Sequence, residues 1–578
     1  MKYQLMKPVN ENYTALEQIL TNRDVLHGHI KRYMNTDETD ICAPEDLGEE
    51  ALWNAMIALA HCVTLDKKAM VIVDCDCDGY TASALLINYL HDLFPAWVEN
   101  NVDWFMHEGK QHGLSDFPME RAKDYRLFLI PDASSNDYEY HKQLKEMGKD
   151  IVILDHHEAE YVSPDAIVIN NQLSDYPNKD MSGVGIVWQF CRYIDKHMNK
   201  NFADNYLDLV ALGLDGDMMS LHAFETKHLI KKGFEQVQNP FFAAMADKNS
   251  YSMKNKITPM GVAFYVVPMI NAVVRSGTLE EKELIFQSML KFRAFERIPS
   301  NKRGHKPGEM EQLYIQAVRT ATNVKNRQTR AQDAGMAKLE AMIEEQQLLD
   351  NKVLMFLLNP GDIDRNIAGL VANKIMSKYQ RPCCILTRVE ENGDISYQGS
   401  ARGCDITGIT RFKEMCENTE TIMYAEGHQG AFGLGIYSHT IGCDNEVAGE
   451  NIAIFLDKTN KMLEDTPDEA IYYVDYIYKG VDVSRENILD IAELDYLWGK
   501  DMPESLVAIE NLKITLPNKV SIEKFNSSQE EYDSLYSEHG AVEINLVGTC
   551  NKNEWNGYIT PQILVQDYEI VDKMQYVF

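Results

Sequence analysis

The sequence predicts an α/β protein: a parallel-sheet domain, a second α/β domain joined to it by a long helix, and a small C-terminal β-barrel. Three observations carry this. From Ala69 to about Asn255, short apolar runs (Met70–Val73, Leu127–Ile130, Ile151–Leu154) alternate with helix-like segments, the pattern of a parallel sheet covered by helices. From Lys352 to about Leu463 the pattern repeats, as Val353–Leu358, then Ile367–Tyr379, then Cys383–Leu386. From about Ile471 onward the chain is rich in strand signals and poor in helical ones.

The expected segments are an N-terminal extension of helices and loops over 1–68, a parallel-sheet domain over 69–255 and a helical connector over 256–350. A second α/β domain over 351–465 and a barrel over 466–578 complete the chain. The connector ends in a run from Met310 to Leu349 with no proline and a single glycine, long enough to bridge two domains. A chain of 578 residues has room for several domains of ordinary size.

Hydrophobic residues make up 45% and charged residues 25%, a globular composition. The net charge of −32 argues against a surface coated in nucleic-acid-binding charge, while leaving room for a local basic channel. The 11 cysteines include no C-x-x-C pair, so neither a disulfide framework nor a zinc motif reads out. A reducing, cytoplasmic home is the simplest expectation. The start, MKYQLMKPVNENY, has no apolar signal core. The longest apolar stretch, Gly261–Val274, is broken by Pro268 and Asn271 and is too short to span a bilayer, so no membrane partner is expected.

Four polar clusters each follow an apolar run. Asp74-Cys75-Asp76-Cys77-Asp78-Gly79 follows VIV, Asp132-Ala133-Ser134 follows LFLIP, Asp155-His156-His157 follows VIL, and Asp215-Gly216-Asp217 follows Leu207–Leu214. The carboxyl ends of parallel strands share one edge, where ligands bind, so the clusters are expected to converge although 143 positions separate Asp74 from Asp217. Carboxylates with one or two imidazoles make a hard, oxygen-rich site suited to Mn²⁺ or Mg²⁺. So many acids at one point repel unless cations neutralise them, and a pair of ions is the standard arrangement for attack on a phosphodiester. The D-x-D-x-D-G opening also matches an EF-hand loop, but Leu85 stands where that loop needs Glu, and a strand precedes it. Taken singly, Asp132 reads as a cap or turn residue and each histidine as an ordinary one.

These motifs resemble the DHH phosphoesterases: DCDCDG, PDAS, LDHH and GLDGD occur in that family's order. Within it the chain is similar to the RecJ single-strand-specific exonucleases over nearly its whole length. Residues 170–190 (NNQLSDYPNKDMSGVGIVWQF) and 266–277 (VVPMINAVVRSG) resemble RecJ segments. Gly399-Ser400-Ala401-Arg402 and Gly427-His428-Gln429-Gly430-Ala431-Phe432-Gly433 resemble motifs of the DHH-associated domain, and WGKDMPESLVAIENLKI with Trp555-Asn556-Gly557 resembles an OB-fold domain, which would make the barrel OB-like.

The resemblance implies roles. Asp76, Asp78, Asp132, His156 and Asp217 would hold two Mn²⁺ or Mg²⁺ ions, with Asp132 bridging and Asp74 ligating or supporting the first. Asp155 would orient His156, and His157 would lie near the scissile phosphate. Arg402 and His428 would face substrate phosphates across a cleft, and Ser182, Gly183, Asn271 and Arg275 would help hold the strand. Where the family carries Arg and then Glu-Gly-Tyr-Gly-Leu, this chain has Met106-His107-Glu108-Gly109-Lys110-Gln111-His112-Gly113-Leu114. Lys110 and His112 become candidate substrate contacts there.

The implied activity is 5′ to 3′ hydrolysis of single-stranded DNA to mononucleotides, in repair, recombination or replication, by a monomer that meets single-strand-binding or replication proteins. Charge supports a strand channel independently. Residues 291–330 carry ten basic and three acidic side chains, whereas residues 441–500 carry five basic and fourteen acidic ones. The plain alternative is a solvated helix face. Trp555 and Tyr558 could stack on bases or fill a barrel core. Two rival readings are a phosphodiesterase for short oligonucleotides or cyclic dinucleotides, and an inactive scaffold that binds a replication partner.

Overall fold

The computed structural model describes all residues except 110, 392–393, 405–407, 439–448, 467–470, 516–521, 525–540, 556 and 575–578. The chain forms two compact units. One comprises Asn12–Lys325 and Leu489–Glu504; the other comprises Met1–Glu11, Asn326–Ile488 and Ser505–Phe578.

The first unit is built on a five-stranded sheet in the order Val102–Met106, Ala69–Val73, Leu127–Pro131, Asp150–Asp155, Ile167–Asn170. Every pair is parallel. Ala69–Val73 and Leu127–Pro131 are buried along their whole length, which is why they read as continuous apolar runs rather than alternating ones. The chain leaves Ala69–Val73 for one neighbouring strand and then crosses to Leu127–Pro131 on its other side. That reversal opens a crevice at the carboxyl ends of these two strands. Helix Cys77–Leu93 is buried over Cys77–Leu90, and Gly183–Met198 and Leu207–Gly216 are also largely buried.

The apolar stretch near residue 265 folds as two helices, Pro259–Tyr265 and Val267–Ser276. By length and composition alone the joined stretch could cross a membrane, yet 56% of it is buried inside the protein. Leu489–Glu504 belongs to this unit by short contacts: Leu221 N donates to Lys500 O at 3.1 Å, and Arg23 Nε donates to Pro503 O at 2.7 Å.

The second unit holds a five-stranded mixed sheet in the order Ile422–His428, Ala431–Tyr437, Asp394–Arg402, Cys383–Glu391, Leu354–Leu358. Its alternation fills two cores. Leu354, Phe356 and Leu358 pack with Ile367, Val371 and Ile375, whereas Met355, Cys384 and Leu386 pack with Phe432, Leu434 and Phe455. Helix Leu313–Glu345 begins in the first unit and ends in the second, where Leu339 and Ile343 join the first of these cores.

The C-terminal sheet has the order Tyr476–Lys479, Leu506–Thr515, Ala541–Trp555, Tyr558–Met574, Ile522–Lys524. Among the described residues no strand pairing closes it into a barrel. Two local expectations differ from the structure. Lys2–Leu5 is a strand paired in parallel with Ile471–Val474, not helix or loop. A hairpin of Arg297–Pro299 and Met310–Gln312 interrupts the expected helical connector, because Pro299, Gly304, Pro307 and Gly308 bar a helix there.

Candidate active site

Three strands end on acids. Asp74 follows Val73, Asp132 follows Pro131 at φ 63°, and Asp155 closes its own strand. Asp76 caps helix Cys77–Leu93 by accepting a hydrogen bond from Gly79 N at 2.9 Å, and Asp78 stands in the first turn, where the helix dipole favours negative charge. Asp217 follows helix Leu207–Gly216. The crevice therefore gathers acids from four chain segments.

The gathering is close. Ligand-type atoms of Asp74, Asp76 and Asp132, of Asp78, His156 and Asp217, and of Asp132, His156 and His157 each lie within 4.8 Å of one another. His156 Nε2 is 3.2 Å from Asp132 Oδ1 and 3.3 Å from Asp217 Oδ2. Nevertheless His156 Nε2, Asp132 Oδ1 and Asp78 Oδ2 are buried without a hydrogen-bond partner. Buried polar atoms are normally satisfied, and three unpartnered ones in a single cluster are what a cation-binding centre presents.

The electrostatics agree. Burial, then repulsion from Asp78 and Asp76, pushes Asp132 well above the usual carboxylate range and Asp217 up to about 8. Burial and Asp74 likewise raise Asp76. Burial, aided by His157, lowers His156 to about 4, which leaves a neutral ring with a lone pair to offer. The cluster cannot carry its full negative charge unaided.

Neighbouring backbone is pressed tightly against these acids. A Cβ on Gly79 would stand 2.6 Å from Asp74 Cβ, one on Gly183 2.7 Å from Asp132 Cα, and one on Gly213 would collide with Asp78 Oδ1. Only glycine permits that approach. Gly79 and Gly213 carried a sequence signal, as members of DCDCDG and GLDGD, that the reading of acids alone passes over. Asn170 is a further omission: its Nδ2 donates to His157 O and to Ser135 Oγ, both at 2.9 Å, and so fixes the loop that presents the histidines.

Several expected roles change. Asp155 does not hold the His156 ring. Its Oδ1 accepts from His156 N at 2.7 Å and from His157 Nδ1 at 2.7 Å, and its Oδ2 from Ser135 N at 3.0 Å. Asp155 thus fixes the His156 backbone and the His157 ring. Burial opposes its charge, yet the His157 bond holds its carboxyl below the usual range, while the same bond raises His157 to about 9.

Ser182 is fully buried, and its Oγ donates to Asp78 Oδ1 at 2.9 Å, beside Val184 N at 3.3 Å. It and Gly183 therefore support carboxylates rather than meeting a strand. Ser182→Ala is expected to destabilise the protein by about 1–3 kcal/mol, because a buried carboxylate loses a donor. Urea unfolding would read this as a lowered midpoint at unchanged slope, and an unchanged midpoint would contradict it. His112 Nδ1 stands 2.7 Å from Asp74 Oδ2, so in this structure its partner is a carboxylate. Lys110 lies outside the described residues.

Asn271 and Arg275 share helix Val267–Ser276, and Asn271 Oδ1 is buried without a hydrogen-bond partner. Arg402 and His428 lie in the second unit, where both register with Ala431 on adjoining strands and so share one row of the sheet. Arg402 Nε donates to Asn373 Oδ1 at 2.8 Å. Within the basic segment, Arg293 pairs with Glu296 and Arg319 with Glu311. Lys302, Arg303 and Lys306 stand exposed on the hairpin tip. The side chain of Trp555 lies outside the described residues, and Tyr558 is 79% exposed.

Comparison with known proteins gives the chain's relatives. Residues 68–214 match the DHH family, N-terminal domain. The chain is 31% identical to YorK, an SPbeta prophage-derived protein of Bacillus subtilis (strain 168) provisionally named a single-strand DNA-specific exonuclease, over 100% of this chain and 99% of that one. It is 23% identical to the single-stranded-DNA-specific exonuclease RecJ of Bacillus subtilis, over 98% of this chain and 70% of the relative. Among solved structures, RecJ in complex with Mn²⁺ from Thermus thermophilus superposes with a TM-score of 0.65 at 17% identity, covering 97% of this chain and 78% of that one. The chain belongs to the DHH family and, within it, to the relatives of the RecJ single-strand-DNA-specific exonucleases.

Proposed function

We propose that the chain is a divalent-cation-dependent exonuclease that hydrolyses single-stranded DNA from the 5′ end and releases mononucleotides. The observation that carries the reading is the set of orphaned buried atoms on Asp78, Asp132 and His156. It is supported by the names of YorK and RecJ, and by solved RecJ structures that contain Mn²⁺ or Mg²⁺. Asp76, Asp78, Asp132, His156 and Asp217 would hold two such ions, with Asp132 shared. Bound there, the ions would supply an acidified water and neutralise charge on the phosphoryl oxygens.

The protein's own groups do the rest. His157, whose ring is held by Asp155 and stands partly exposed, would pair with a phosphate oxygen at the mouth of the cluster. Asn271 and Arg275 would add a polar contact and a charge, Arg402 and His428 would supply phosphate contacts from their shared row, and Lys110 would add a further charge. The exposed cations of the hairpin tip would draw in the backbone without reading sequence.

The test is to incubate the protein and Mn²⁺ with long single strands labelled at either end. Mononucleotide release from the 5′ label is expected, with duplex DNA resistant. Preferential cleavage of a dinucleotide over a long strand would overturn this in favour of a small-substrate phosphodiesterase.

A further inference from the structure

Beside the carboxylate cluster stands a donor set of different chemistry. Asp74, Cys75 and His112 bring an oxygen, a sulfur and an imidazole nitrogen within 4.8 Å of one another. Cys75 Sγ is 3.7 Å from His112 Nδ1 and 3.6 Å from Nε2, and Nδ1 is 2.7 Å from Asp74 Oδ2. Zinc bonds of about 2.3 Å to sulfur and about 2.0 Å to nitrogen, at tetrahedral angles, set those two donors roughly 3.5 Å apart. Cys75 Sγ is nearly equidistant from the two ring nitrogens, off the lone pair of either, so the exposed His112 ring has to turn to bring one nitrogen into that relation. The shorter carboxylate–imidazole separation is a hydrogen bond, and a cation would take the place of the shared proton.

The trio is held in place. Asp74 and Cys75 are consecutive at the end of a buried strand. Gly113 N donates to Asp74 Oδ1 at 3.1 Å, which keeps the turn bearing His112 against the carboxylate. Buried Lys282 donates to His107 O at 2.8 Å and Glu108 O at 2.7 Å, anchoring the start of the same loop. Cys75 is 7% exposed, whereas the His112 side chain is 63% exposed. One side of the trio is therefore closed by protein, and the other is open for water as a fourth ligand.

We propose that Asp74, Cys75 and His112 form a further site, sharing Asp74 with the carboxylate cluster, for a thiophilic divalent cation, zinc above all. A thiolate and an imidazole favour zinc over magnesium or manganese, whereas the neighbouring carboxylates have the opposite preference. Binding releases the thiol proton and the proton shared between His112 and Asp74 to solvent. Asp74 is also one of the Asp74, Asp76, Asp132 group, so zinc in the trio engages a carboxylate of the main cluster. If the main cluster is catalytic as read above, zinc restrains the manganese-dependent reaction; zinc binding itself does not rest on that reading.

Cobalt(II) is the probe. Added to the metal-free full chain, it should give one sulfur-to-cobalt charge-transfer band, competed away by equimolar zinc and unaffected by a large excess of magnesium. Cys75→Ser should abolish the band, and His112→Asn should weaken or shift it. Cys77→Ser should keep it, because Cys77 Sγ faces Leu212 O. Circular dichroism checks that each variant is folded. No band in the wild-type chain, or a band that survives Cys75→Ser, overturns the proposal. Both outcomes are read without DNA, so they are distinct from any failure of the nuclease reading.

Discussion

Asp132→Ala is expected to slow hydrolysis of a single strand by at least about 10³-fold, roughly 4 kcal/mol at the transition state, while leaving DNA affinity close to wild type. Asp132 is 1% exposed, lies within ligand distance of two of the clustered groups, and holds an unpartnered oxygen 3.2 Å from His156 Nε2. Among the described residues no other acid of the cluster appears in groups with both Asp74 and His156. The stability effect should have the opposite sign. Burial and repulsion penalise the Asp132 carboxylate at neutral pH, so the metal-free variant should melt no lower than metal-free wild type. Added Mn²⁺ should raise the melting temperature of wild type but not of the variant. Cleavage near the wild-type rate would refute the shared-ligand role.

Gly183→Ala is expected to lose about 10²-fold in rate although it touches no substrate. Alanine is the better helix former by up to about 1 kcal/mol, so local propensity alone favours the change. Its Cβ, however, would collide with Asp132 Cβ and stand 2.7 Å from Asp132 Cα. Backbone must move, typically at about 1–3 kcal/mol, and a displacement of this order at a catalytic carboxylate is enough for the loss. Gly28→Ala, with nothing within 4 Å of its Cβ, is the control and should stay within about 0.5 kcal/mol of wild type. Equal rates for the two variants would show that Asp132 tolerates displacement.

Much of the site was legible because parallel strands impose it. An acid placed after each fully buried run must arrive at one sheet edge, so Asp74, Asp132 and Asp155 needed no tertiary information beyond the alternation of strand and helix. What was illegible was set by side-chain direction and by pairing over long range. Asp155 turns to the His157 ring and only to the His156 backbone, because the tight bend after the strand brings the second histidine round to the carboxylate. Ser182 was read as a strand contact, yet burial beneath Asp78 depends on how two helices pack, which no local pattern records. The strand Lys2–Leu5 pairs with Ile471–Val474, a partner that four residues at the start of the chain cannot announce. Likewise, nothing in Leu489–Glu504 signals its contact with Leu221.

Anomalous diffraction from crystals grown with Mn²⁺ tests the central claim most directly. Two peaks among Asp76, Asp78, Asp132, His156 and Asp217, with Asp132 contributing to both, are the result expected. Density at some other place, or side chains of these five residues turned away from any ion, would contradict it.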